Sequence, residues 1–228
     1  MKGLIAMIGG GEFEDEMAPV DRDLLGRLDT PRVSLVISGL VAGGATAEEL
    51  AERGRRHLEG LGAQVEAYDV PDRETAMDNE IAEAIRSSSF VYMPDADPAA
   101  LFDTLNQTAV WAAIGEMVDN DGIVAMCGGA AMTLGERVPV PPRPLPWKNV
   151  FNVFPGAVIL PHYESVTPRR MRLLRTVKWG GVTFLGIERH TALFNASFRF
   201  SVAGAGGVTV WSEKRHERRQ SGDPVLWP

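Results

Sequence analysis

Cys127 is the only cysteine in the chain, and it stands in the run Gly122-Ile-Val-Ala-Met-Cys127-Gly-Gly-Ala-Ala-Met132, where a strand is expected to turn sharply into a helix. Ile123 to Met126 read as a central parallel strand, and the two glycines that follow the thiol permit a tight turn whose backbone N–H groups face it. A helix N-terminus favours a thiolate, and in such places thiol pKa values fall from about 8.5 to roughly 3.5–7.5. That is the chemistry of a nucleophile. The competing reading is an inert core thiol, the common state of a lone cysteine between apolar residues. The histidines at 57, 162, 190 and 216 show no metal-ligand spacing, so neither a metal nor a cofactor is expected. His57 and His216 sit among charges and read as surface residues. Gly9-Gly10-Gly11 is an incomplete dinucleotide fingerprint with no acidic ribose ligand, which argues against a dinucleotide site. The basic runs Arg169-Arg170-Met-Arg172 and Lys214-Arg215-His216-Glu-Arg218-Arg219 read as solvated faces, the first also placed to receive an acidic group.

The elements that must position Cys127 alternate strand and helix. Leu4 to Ile8 and Val33 to Ser38 are apolar runs ending at glycines, each leading to a helix. Thr46-Ala-Glu-Glu49 has the capping-box pattern, with Leu50, Leu58 and Leu61 as the apolar stripe of a helix ending near Gly62. A strand at Val65 to Tyr68, a helix at about Ala76 to Ile85, a strand at Phe90 to Met93 and a helical stretch from Leu101 to Val118 precede the Cys127 strand. Strands spaced by helices imply right-handed crossovers, with ligands beyond the carboxyl ends of the strands.

Five prolines in the nine residues from Val138 to Pro146 exclude helix or central strand there, and the stretch reads as an insertion at the sheet rim. Beyond it come a strand at Ala157 to Leu160, a basic helix at Pro168 to Val177 and a strand at Val182 to Ile187. Antiparallel edge strands follow at Ala192 to Asn195, Phe198 to Val202 and Val208 to Trp211. The expected architecture is α/β: a flavodoxin-like, doubly wound, mainly parallel sheet with helices on both faces and a few antiparallel edge strands. One domain spans 1–211, and 212–228 reads as a surface tail. Composition agrees with a globular chain of 228 residues, 45% hydrophobic and 23% charged. A net charge of −7 argues against nucleic acid or an anionic membrane as partner. With no run of 18 apolar residues and no disulfide framework, a cytoplasmic protein is expected, and a homodimer would be the commonest assembly.

Five segments, in order, resemble the cyanophycinase and aspartyl dipeptidase (dipeptidase E) family of serine peptidases within the class I glutamine amidotransferase-like superfamily. Leu4-Ile-Ala-Met-Ile-Gly-Gly-Gly11 is similar to the opening strand and glycine loop, with Gly10 and Gly11 in that loop. Val91-Tyr-Met-Pro-Asp-Ala-Asp97 with Leu101 is similar to the oxyanion-loop segment, and Ile123 to Ala131 to the nucleophile elbow, which sets Cys127 on the family's serine. Phe154 to Tyr163 resembles the segment that carries the catalytic histidine, here His162, followed by the arginines from Arg169 onward. Gly186-Ile-Glu-Arg-His-Thr-Ala-Leu193 resembles a later strand and turn.

The resemblance implies hydrolysis of an amide bond in a small peptide or peptide-like substrate, with Cys127 as nucleophile and His162 as general base. Glu164 and Glu188 are the candidate orienters of His162, Glu188 being preferred, and His190 is an alternative imidazole. Asp95 and Ala96 fall on the family's oxyanion glycines and Pro98 on its glutamine. Pro98 has no N–H, so the oxyanion hole would rest on the Ala96 and Gly128 amides; losing one donor costs roughly 2–4 kcal/mol. Asp97 and Arg169 are the remaining substrate-binding candidates. Two other readings stay open: a non-catalytic relative serving as a binding or assembly module, and thiol redox chemistry in which Glu12, in the loop after the first strand, supports the Cys127 thiolate.

Overall fold

The computed structural model describes residues 3–38, 44–140, 146–175, 181–196, 199–213 and 216–225. The chain runs β1 (Leu4–Ile8), α1 (Ala18–Leu25), β2 (Arg32–Ser38), α2 (Ala47–Gly60), β3 (Gln64–Val70), α3 (Arg73–Ala76), α4 (Asn79–Ser87), β4 (Phe90–Met93), α5 (Pro98–Leu105), α6 (Ala109–Asp119), β5 (Ile123–Cys127) and α7 (Gly128–Met132). It continues through β6 (Arg137–Pro139), β7 (Trp147–Asn149), β8 (Ala157–Leu160), α8 (Pro168–Arg175), β9 (Thr183–Ile187), β10 (Thr191–Ala196), β11 (Arg199–Gly204), β12 (Gly207–Trp211), β13 (His216–Gln220) and β14 (Pro224–Val225).

The main sheet has eight strands in the order β14-β11-β10-β1-β5-β4-β2-β3. From β1 to β3 the pairs are parallel, and β10, β11 and β14 extend the sheet antiparallel from β1. This is the doubly wound, flavodoxin-like α/β arrangement, with its antiparallel strands on one side. β5 is central and buried along its whole length because β1 and β4 cover both of its edges. Its alternation sends Met126 to one face of the sheet and Cys127 to the other. Apolar stripes of α4, α5 and α6 (Ile85, Leu101, Leu105, Ile114, Met117) fill the Met126 side, and those of α1 and α2 (Val20, Leu24, Leu50, Leu58) the Cys127 side.

The structure differs from the sequence reading in four places. The C-terminal half builds a second sheet, β13-β12-β9-β8, in which β8 and β9 are parallel, so the Val208 to Trp211 strand leaves the main sheet. The expected surface tail supplies a strand to each sheet instead: β13 pairs with β12, β14 pairs with β11, and Val225 is buried. Backbone pairing demands only a free edge, so the charged pattern of β13 is that of an exposed edge strand and does not mark an unpaired surface arm. The 101–118 stretch is two helices, parted where Gln107 takes a positive φ and Thr108 caps α6 through the Trp111 N–H. The proline-rich insertion is a β-ribbon of β6 and β7 closed by Val140 N–H on the Pro146 carbonyl; residues 141–145 of the expected loop lie outside the described residues. Among the described residues no helix is long and apolar enough to cross a membrane.

Candidate active site

Register brings the site together. Ile8 pairs with Cys127 and Met93 with Met126, so the loops after β1, β4 and β5 leave the sheet side by side at its carboxyl end. The loop after β8 joins them through the His162 N–H, which donates to the Gly9 carbonyl at 2.8 Å. Gly10, at φ 137°, makes room for the imidazole: a Cβ there would lie 2.1 Å from His162 Cε1. His162 itself adopts the left-handed conformation (φ 49°), and Tyr163 lies flat on Gly186 and accepts from Trp211 Nε1 at 2.6 Å. The second sheet therefore fixes the imidazole, and the first sheet fixes the thiol.

Around Cys127 stand carboxylates. Its Sγ donates to Glu12 Oε2 at 3.2 Å, and the other Glu12 oxygen accepts from the Asp95 N–H at 3.3 Å. Asp95 Oδ1 accepts from the Gly129 N–H at 2.6 Å, while Oδ2 lies 3.4 Å from His162 Nε2. The thiol is fully buried. Burial above all, then the charges of Glu12 and Asp95, push its pKa well above the ordinary thiol value; the Glu12 backbone N–H works in the opposite sense. This corrects the expectation of a helix-stabilised thiolate: α7 has five residues, and desolvation beside two acids outweighs its dipole. Asp95 holds the His162 pKa above its ordinary range against the lowering effect of burial.

The remaining site candidates disperse. Glu188 does not face His162: it is bound by Arg218 through two 2.7 Å bonds and accepts from the Gly207 N–H, and Arg218 holds its pKa down. Glu164 accepts from the Arg189 N–H and does not bond the imidazole, but its charge still adds to the raised His162 pKa after that of Asp95. Asp97 caps α5, accepting from the Ala99 and Ala100 N–H groups. Ala96 lines the cleft, but the elbow amide that carries a carboxylate belongs to Gly129 and not to Gly128. Arg169 points into solvent; its neighbour Arg170 lines the cleft. Gly11 is packed by His190, which bonds Glu14 at 2.6 Å. Glu14, Glu16 and His190 bring three candidate ligand atoms within 4.8 Å of one another, with Glu14 also paired to Arg189. His57 is not a surface residue: its side chain is 9% exposed and it bonds the buried Asp21 at 2.9 Å. Asp95 is not among the site candidates of the sequence reading, which takes it only as the replacement of a glycine; an acid in the loop after β4 is the signal that could have found it.

A cleft of about 270 Å³ opens beside these residues, lined by Asp95, Ala96, Gly129, His162 and Arg170 with apolar walls such as Leu160. A solved peptidase from an acI-B1 actinobacterium superposes with a TM-score of 0.86 at 23% identity, covering 100% of this chain and 98% of the other. A putative peptidase E from Listeria monocytogenes EGD-e gives a TM-score of 0.67 at 16% identity, covering 90% of this chain and 99% of the other. The chain has the fold of these peptidases. No family model matches the sequence, and no curated protein does. Within this peptidase fold, the cleft, the imidazole and the thiol lie where doubly wound sheets bind their ligands, at the carboxyl ends of the strands.

Proposed function

We propose that the protein is a peptidase-like hydrolase that cleaves an amide bond in a small peptide or peptide-like substrate, with Cys127 as nucleophile and His162 as the acid–base partner. The observation that carries this reading is the convergence of Cys127, Glu12, Asp95 and His162 beside one cleft in a fold shared along the whole chain with a peptidase. The thiol proton passes to Glu12 Oε2, which already accepts the S–H bond, as sulfur attacks the carbonyl carbon and the C=O electron pair moves onto oxygen. The C–N bond then breaks, and His162, biased towards its protonated form by Asp95, hands its proton to the leaving amine. Water hydrolyses the thioester, giving one proton back to His162, and Glu12 returns the thiol proton to the sulfur.

Amine release from a panel of dipeptides and short acyl amides tests the proposal. Cys127→Ala is expected to abolish release and His162→Ala to slow it by about 10²–10⁴-fold. Wild-type rates in Cys127→Ala would refute it. A second reading, a binding module that keeps the fold without catalysis, is supported by the Asp95 carboxylate on the Gly129 amide and by Pro98, which lacks an N–H at the matching loop. On that reading no substrate in the panel is cleaved, and iodoacetamide reacts slowly with Cys127 at every pH.

A further inference from the structure

The cleft and the thiol are adjacent yet separate: Asp95 and Gly129 line the cleft, whereas Cys127 is 0% exposed and is not part of its wall. Asp95 belongs to both sides. Its side chain is 20% exposed, it lines the cleft, its N–H is bonded to the Glu12 that receives the thiol, and its charge acts on the sulfur. The carboxylate also lies directly over Gly128, the residue after the thiol: a Cβ at Gly128 would sit 2.2 Å from Asp95 Oδ1. The tight turn, with Gly128 at φ 56°, is thus shaped around that carboxylate. Meanwhile Asp95 occupies two groups that an acyl oxygen would use, the Gly129 N–H at 2.6 Å and His162 Nε2 at 3.4 Å.

We infer that Asp95 is a gate over the nucleophile: in the resting protein its carboxylate covers the turn after Cys127 and closes the thiol off from the cleft, and it turns away when a reactant's oxygen takes its place on Gly129 and His162. The opening by a reactant's oxygen rests on Cys127 being the reacting group of the proposed hydrolase; the cover over the thiol in the resting protein does not. The carboxylate's own bonds are to Gly129 and His162, whereas the loop between β4 and α5 that carries it is held separately by the Asp97 cap and by the Asp95 N–H on Glu12, so the side chain can turn without moving that backbone. Removing the carboxylate opens access, whereas neutralising it in place changes charge and leaves the cover.

The test is iodoacetamide alkylation of the 228-residue chain as a function of pH; it has one cysteine, so the signal reports Cys127 alone. The high-pH plateau measures access to the thiolate, and the midpoint measures its pKa. Asp95→Ala is expected to raise the plateau by roughly tenfold or more, while Asp95→Asn lowers the midpoint and leaves the plateau near the wild-type level. A plateau unchanged in Asp95→Ala, or the same profile in both variants, overturns the gate and leaves Asp95 as an electrostatic neighbour. Asp95→Ser serves the same comparison if the alanine variant does not fold. Alkylation needs no substrate: a thiol unmasked in a protein that cleaves no peptide would refute the hydrolase reading and support the gate, and the reverse result would refute only the gate.

Discussion

At the scale of single residues, the reactivity of Cys127 is decided by which charges reach it. A negative charge next to a thiol disfavours its ionised form, so replacing Glu12 by Gln removes repulsion and is expected to move the alkylation midpoint to lower pH; an unchanged midpoint would mean Glu12 does not control the thiol. For His162 the same carboxylate logic has the opposite sign. Asp95 stabilises the imidazolium, so Asp95→Asn is expected to bring the ring pKa down from its raised position towards the ordinary 6.5, read by NMR titration of the ring protons. His162 stays half-protonated at a higher pH in the wild type than in the variant. Gly128 carries a steric demand. Gly128→Ala combines a positive φ with a Cβ 2.2 Å from the Asp95 carboxylate, and a loss of about 1–3 kcal/mol in denaturant unfolding is expected.

Among the elements, local signals and edge pairing play different parts. The reciprocal Thr46 and Glu49 bonds of the α2 capping box are present as the sequence pattern requires, because a cap is satisfied within four residues. Thr46→Ala is expected to cost about 1 kcal/mol in urea unfolding. The last two strands depend instead on distant partners, and removing residues from 212 onward strips β13 from β12 and β14 from β11. It also takes Arg218 from Glu188 and leaves that carboxylate the Gly207 N–H. Truncation is therefore expected to lower the melting temperature and promote aggregation through the exposed strand edges, measured by thermal melting and light scattering. A surface arm would be removed without either effect.

For the molecule as a whole, pH acts through acids whose surroundings oppose one another. Burial raises the Asp21 carboxyl above its ordinary 3.8, with the His57 hydrogen bond pulling the other way. The folded protein then holds the proton more tightly than the unfolded chain, so stability falls as pH rises from 3.8 through the folded pKa. Asp21→Asn is expected to flatten that decline in urea unfolding measured across pH. Glu188 contributes with the reverse sign: the stability it derives from Arg218 is present above 4.5 and is lost as pH falls through its lowered folded value. The sequence by itself determined the parallel strands around β5, the strand-to-helix turn at Cys127, the position of His162 at the end of β8 and the α2 capping box, because apolar runs, glycines and capping residues act over a few neighbours. Only the tertiary structure decided that Asp95 replaces Glu188 beside His162, that Glu12 takes the thiol, that the thiol is pushed up, and that the C-terminal segment completes two sheets. Those outcomes depend on strand register and on burial, which bring together residues as far apart as Glu12, Asp95, Cys127 and His162 and set their charges against one another.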